Sequence, residues 1–150
     1  MSVKSATEQP LARLLIERWE QVSRKFAELA DELPVEKFEW VPVAGTRSYG
    51  GVLRHVAFWN QYVTASLRGL NGDESANEVS AADYPTKDKV LTVLRTSASS
   101  AAAALREQGG DLSPKSMELL MTFLEHTSEH YGQLAVYARL MNIIPPAFRK

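Results

Sequence analysis

The chain has 150 residues, enough for one domain with a substantial core, and its 45% apolar and 23% charged residues are ordinary for a soluble globular protein. Seventeen basic and 18 acidic residues give a net charge of −1 with no dense Lys/Arg block, so no nucleic acid or anionic membrane is expected as a partner. Cysteine is absent, which excludes disulfides, thiolate metal sites, iron–sulfur clusters and a cysteine nucleophile. Any metal must be held by nitrogen and oxygen. Residues 1–8 lack the apolar run of a signal peptide, and no stretch approaches the roughly 20 apolar residues of a membrane span. The expectation is a single domain over 1–150 in the cytoplasm.

A first helix is expected from a cap near Thr7 to Leu33-Pro34, because Leu11, Leu15, Trp19, Val22, Phe26, Leu29 and Leu33 recur at three- and four-residue steps. Pro34 disfavours helix just before it. Residues 34–47 read as a connection, punctuated by Pro34, Pro42 and Gly45, with Phe38 and Trp40 tucked against the end of the bundle. Ser48 then caps a second helix running to about Arg68-Gly69. Its inward stripe is Val52, His55, Val56, Trp59, Tyr62, Val63 and Ser66. Gly50-Gly51 in the first turns lowers helix propensity and points to a close backbone approach, expected against another helix.

Residues 69–85 carry Gly69, Gly72, Asp73, Asn77, Asp83 and Pro85 with little hydrophobic periodicity. A connection this long is either a surface loop or a crossover. Extended, it reaches roughly 55 Å, enough to run back along a helix and start the next one parallel to it. The second alternative gives a four-helix bundle with up-down-down-up topology. Thr86 is the expected cap of a third helix ending at Gly109-Gly110, with Val90, Leu91, Val93, Leu94 and Leu105 as its larger apolar residues. Its run from Thr96 to Ala104 is small throughout and allows close helix approach. Ser113-Pro114 opens a fourth helix to about Met141, with Leu119, Phe123, His126, His130, Leu134 and Tyr137 facing inward, and Pro145-Pro146 prevents continuation.

The three histidines all fall on these apolar stripes. His126 and His130 are four residues apart and project from one helix face, as the two histidines of helical zinc motifs do. Buried imidazoles need a hydrogen bond or a ligand. Each alone reads as a satisfied core histidine; together, His55, His126 and His130 read as ligands to one divalent metal. Imidazole suits zinc, nickel, copper or iron(II) without selecting among them. Three protein ligands leave a position open, as catalytic sites do, for an activated water or a substrate thiolate. Glu125, Glu129, Gln133 and Asn60 are close enough in sequence to support the ligands, with Glu125 and Glu129 expected in solvated rows. Trp59 and Tyr131 are candidate pocket walls or ordinary packing.

The stretches Ser48-Tyr49-Gly50-Gly51-Val52-Leu53-Arg54-His55-Val56-Ala57 and His126-Thr127-Ser128-Glu129-His130-Tyr131-Gly132-Gln133-Leu134, with Tyr137, Arg139, Pro145-Pro146 and the upstream Trp40-Val41-Pro42, resemble the damage-inducible DinB/YfiT-like metalloenzyme family. The resemblance implies an all-α, up-down-down-up four-helix bundle in which His55, His126 and His130 bind a divalent metal, often zinc or nickel. It also implies a thiol S-transferase or related activity using a low-molecular-weight thiol, and a homodimer. Two functions follow for comparison: a metal-dependent enzyme of thiol-transfer or hydrolase type, with a small-molecule substrate and residues 69–85 covering the site, or a non-catalytic, stress-related metal-binding or interaction module.

Overall fold

The computed structural model describes residues 8–70, 72–109 and 112–150. Four α-helices, α1 (Glu8–Glu32), α2 (Tyr49–Leu67), α3 (Lys87–Glu107) and α4 (Pro114–Leu140), are joined by short 3-10 turns and loops, with no strand among the described residues. The expected cap at Thr7 lies outside them. The other three caps form as expected. Ser48 accepts from the Gly51 amide, Thr86 from Lys89 and Ser113 from Ser116.

The long connection between α2 and α3 is a crossover. It leaves the end of α2, passes Gly72 against Tyr62, and brings Val79 back to the Arg54 carbonyl, to which its amide donates at 3.2 Å. Tyr84 closes the return, its carbonyl accepting from Arg54 Nε at 3.0 Å. The third helix therefore starts beside the start of α2, and the ends of the two helices meet through Arg68 and Glu107. Lys87 of α3 reaches the last carbonyls of α1, while Ser116 of α4 meets Gln108 beyond α3. The resulting order is up-down-down-up, with α1 and α2 each packed against both α3 and α4.

The core divides along the bundle. One cluster gathers Phe26, Leu29, Leu33, Tyr49, Leu53 and Val90 around the start of α2; the other gathers Ile16, Trp19, Val63, Leu105 and Leu120 at the opposite end. Each such large side chain, when fully buried, contributes about 1.5–3 kcal/mol. The small run of α3 does admit close packing: Ala98, Ala101 and Ala102 are buried, and the Trp19 indole donates to the Ala98 carbonyl at 3.0 Å. The stripe of α1 differs from expectation near its start. Leu11 is exposed and Leu15 and Val22 half-buried, while Ala12 and Ile16 face inward with Trp19. A small residue and a β-branched one hold the seam there, so ranking by side-chain size rotates the stripe.

Gly50 also answers to a different neighbour than expected. It approaches the 34–48 connection, not another helix: its amide donates to the Phe38 carbonyl, and an added Cβ would lie 2.7 Å from the Phe38 ring and 2.8 Å from that carbonyl oxygen. With Tyr49 donating to the Trp40 carbonyl, this segment satisfies amides that the first turn of α2 leaves without helical partners. Gly132, in the middle of α4, has nothing within 4 Å of the same position. Gly132→Ala should therefore raise stability by about 0.5–1 kcal/mol through helix propensity. Gly50→Ala should lower it by about 1–3 kcal/mol, since overpacking against backbone outweighs the propensity gain. Urea denaturation of the two variants against the parent gives both signs, and equal shifts in one direction would refute the packing argument.

Candidate metal centre

The site is built from two helices and the crossover. The second helix is buried on nearly all sides over its first half, Arg54 included, and this sinks His55 into the bundle. On α4, His126 and His130 are half-buried. The expected inward row on α4 is therefore corrected. The seam that is fully buried runs through Leu120, Thr127, Tyr131, Leu134 and Ala138. The row Leu119, Phe123, His126, His130 and Gln133 is turned one position around the helix, toward α2, where the two helices stand apart over a cleft. His126 and His130 can thus meet His55, while Phe123 of the same row lines the cleft.

The three imidazoles converge. One ring nitrogen from each lies within 4.8 Å of the other two, forming a group that could hold a metal ion. The Nε2 atoms of His55 and His126 are 2.9 Å apart, and the ring centroids of the three pairs lie 4.5–4.9 Å apart. Hydrogen bonds fix which nitrogen of two rings carries the proton. His55 Nδ1 lies 2.7 Å from the Asn77 carbonyl, which can only accept, so Nδ1 donates and the Nε2 lone pair faces His126. For His130 the polarity is set three groups away. The Arg47 carbonyl accepts from the Tyr137 hydroxyl at 2.8 Å, so the Tyr137 oxygen accepts from Gln133 Nε2 at 2.9 Å. The Gln133 carbonyl oxygen then accepts from His130 Nδ1 at 2.8 Å. His130 too keeps its Nε2 lone pair unprotonated.

Electrostatics agree with the hydrogen bonds. Burial pushes the His55, His126 and His130 pKa values down, His126 to about 3 with the other two rings and Arg47 adding to the effect. All three are neutral at pH 7, the state a metal requires of imidazole. The donor set contains nitrogen only, from uncharged rings, with the His55 Nε2 lone pair accepting from His126 Nε2 at 2.9 Å, and so fits a borderline divalent ion.

A family model described as the DinB superfamily matches residues 18–134, more than three quarters of the chain. The chain belongs to the DinB superfamily. No curated protein matches it. The matched span contains His55, His126 and His130 together with Gln133, Asn77 and Arg47, and Tyr137 of the relay lies just beyond its end.

Of the other residues singled out in the sequence, Gln133 supports His130, while Asn60 instead donates to Ser97 at 3.3 Å. Glu125 and Glu129 are exposed, as expected. Trp59 is a wall of this DinB site, its ring edge-on to His55 and near His126, and its indole donates to Asn77 Oδ1 at 2.8 Å. Tyr131 is not a wall: it belongs to the core, with Lys25 of α1 over its ring at 4.3 Å. Asn77 was missed. It stands in the crossover with φ of 56°, a conformation asparagine adopts more readily than most residues, and positions both His55 and Trp59. Its sequence signal was an asparagine in a long polar loop.

The depressed histidine pKa values carry a consequence for the metal-free protein. Below the ordinary histidine value of 6.5 the unfolded chain takes up protons that the folded chain refuses. Stability should be full above about pH 6.5 and decline as the pH falls from there toward about 3. Urea midpoints measured in chelator between pH 7.5 and 4 read this slope, and His126→Gln should flatten it. An unchanged slope in that variant would mean other groups set the acid sensitivity.

Proposed function

We propose that His55, His126 and His130 hold one divalent metal ion, zinc or nickel, and that the protein is a metal-dependent enzyme acting on a small-molecule substrate by transfer of a low-molecular-weight thiol or by hydrolysis. The observation that supports this most is the polarity of the hydrogen bonds around the rings. Two lone pairs are fixed toward a common point by acceptors of different origin, a loop carbonyl and a glutamine–tyrosine relay.

When bound, a divalent ion supplies a Lewis acid that makes a water or a thiol more acidic. The chain's own groups do the rest. Asn77 and Gln133 hold the rings of His55 and His130, Trp59 covers one side of the group, and the half-buried pair on α4 adjoins the cleft through Phe123. Glu125 and Glu129 remain in solvent and are not assigned as a general base. Three protein ligands, not four, favour catalysis over a purely structural ion, and this sets the enzyme reading above the non-catalytic module.

Elemental analysis of untagged protein, with thiol-transfer and ester-hydrolysis screens, tests the proposal. Near-stoichiometric zinc or nickel in the parent and its loss in His55→Ala are expected. Gln133→Ala should keep the fold but weaken metal affinity by about 10–100-fold, the usual effect of removing the partner of a ligating histidine. Metal retained in His55→Ala would refute the three-histidine site. Metal lost together with most of the thermal stability, and without any activity in the parent, would favour the structural role.

A further inference from the structure

A cleft of about 930 Å³ lies between α2, α4 and the first part of the crossover. It has two unlike ends. Near the histidines its wall is aromatic: Trp59 stacks on Phe123 with ring centroids 5.4 Å apart and planes at 22°, and Tyr62 lies 5.7 Å from Phe123. Both stacked rings also approach His126, at 6.2 and 5.7 Å, so the aromatic wall is shared with the candidate metal centre. At the far end the lining gains polar groups beside Leu67 and Leu119, with Ser116 bonded to Gln108 and with Lys115 and Glu118 on the first turns of α4. Ten residues of α4 separate Ser116 from His126, about 15 Å along the helix. The crossover forms the outer side, Gly72 lying against Tyr62 and Asn77 holding the Trp59 indole.

By contrast, the groove between α1 and α3 has an alanine floor rimmed by Arg95 and Arg106, which already pair with Asp31 and Glu20, and no aromatic ring lines it. Histidine-side aromatic rings and a polar far end therefore describe one ligand orientation. We propose that the α2–α4 cleft is the substrate site and takes an amphiphilic aromatic compound, its ring against Trp59 and Phe123 with the reacting group toward His126, its polar end toward the start of α4. The role as a substrate site rests on the metal-dependent reading above; the binding of an aromatic ligand does not.

The probe is N-phenyl-1-naphthylamine, a neutral fluorescent aryl amine, titrated into the folded protein with and without added zinc. Saturable binding with energy transfer from tryptophan is expected in both forms. Leu119→Trp and Ser66→Phe fill the cleft from opposite walls, and each should weaken binding by at least about tenfold, as loss of a shaped apolar pocket does. Ala103→Trp, in the α1–α3 groove, should leave it unchanged. Thermal melting checks that each variant folds, and two blocking variants on different helices guard against one failing. Bound probe should also slow extraction of zinc by a chelator. No saturable binding by folded protein, or binding that survives both cleft-filling changes, would overturn the site. Binding in the cleft that leaves the extraction rate unchanged would overturn its connection to the histidines. A protein that takes up no zinc sinks the metal reading alone, and the titration still decides the cleft.

Discussion

A guanidinium cannot be buried without partners, and the burial of Arg54 immediately before His55 organises this structure. Its Nη2 pairs with Glu39 at 2.7 Å, its Nε donates to the Tyr84 carbonyl, and its plane covers the Phe38 ring at 4.9 Å. Its own carbonyl receives the Val79 amide. The cost of burying the guanidinium is offset only while these partners stay in place. One residue, by its side chain and its carbonyl, thus draws together the connection before α2 and both ends of the return of the crossover. Because Val79 is anchored there, Asn77 lies two residues away, where its carbonyl can hold the His55 ring.

From that anchor the site follows by hydrogen-bond polarity more than by shape. Two carbonyls, of Asn77 and Arg47, cannot donate, and every proton between them and the rings is directed by that fact. The backbone that caps α2 and the backbone of the crossover therefore set the protonation of His130 and His55. Low dielectric then reinforces the choice, since charged imidazoles are disfavoured by burial and by one another. The fold brings three neutral imidazoles together before any ligand arrives, two of them with Nδ1 committed as donor.

Much of this was legible in the sequence, for identifiable reasons. Caps at Ser48, Thr86 and Ser113 are local chemistry, and the crossover follows from chain length against helix length. The three-histidine group followed from counting histidines on apolar stripes. What failed depends on neighbours that are remote in sequence. The stripe of α1 is decided by what Ala12 and Ile16 meet across the bundle. The tilt of His126 and His130 away from the buried seam is decided by the gap to α2, and the constraint on Gly50 by Phe38. Asn77 acts through its main-chain carbonyl, which any residue type possesses, so its identity could not announce that role.

The crossover has one more implication, for the order of events in folding. Because α2 and α3 run parallel, no hairpin of neighbouring helices contains the site: His55 and His126 are 71 positions apart, and the Tyr137–Arg47 bond spans 90. Contacts of such separation carry the largest loop-closure cost and form after local ones. On a chain emerging from its N-terminus, α4 is the last helix made, so the second and third histidines appear only when the other three helices already exist. The imidazole cluster is thus a late product of folding, and a chain in which only α4 has formed presents the His126–His130 pair without His55.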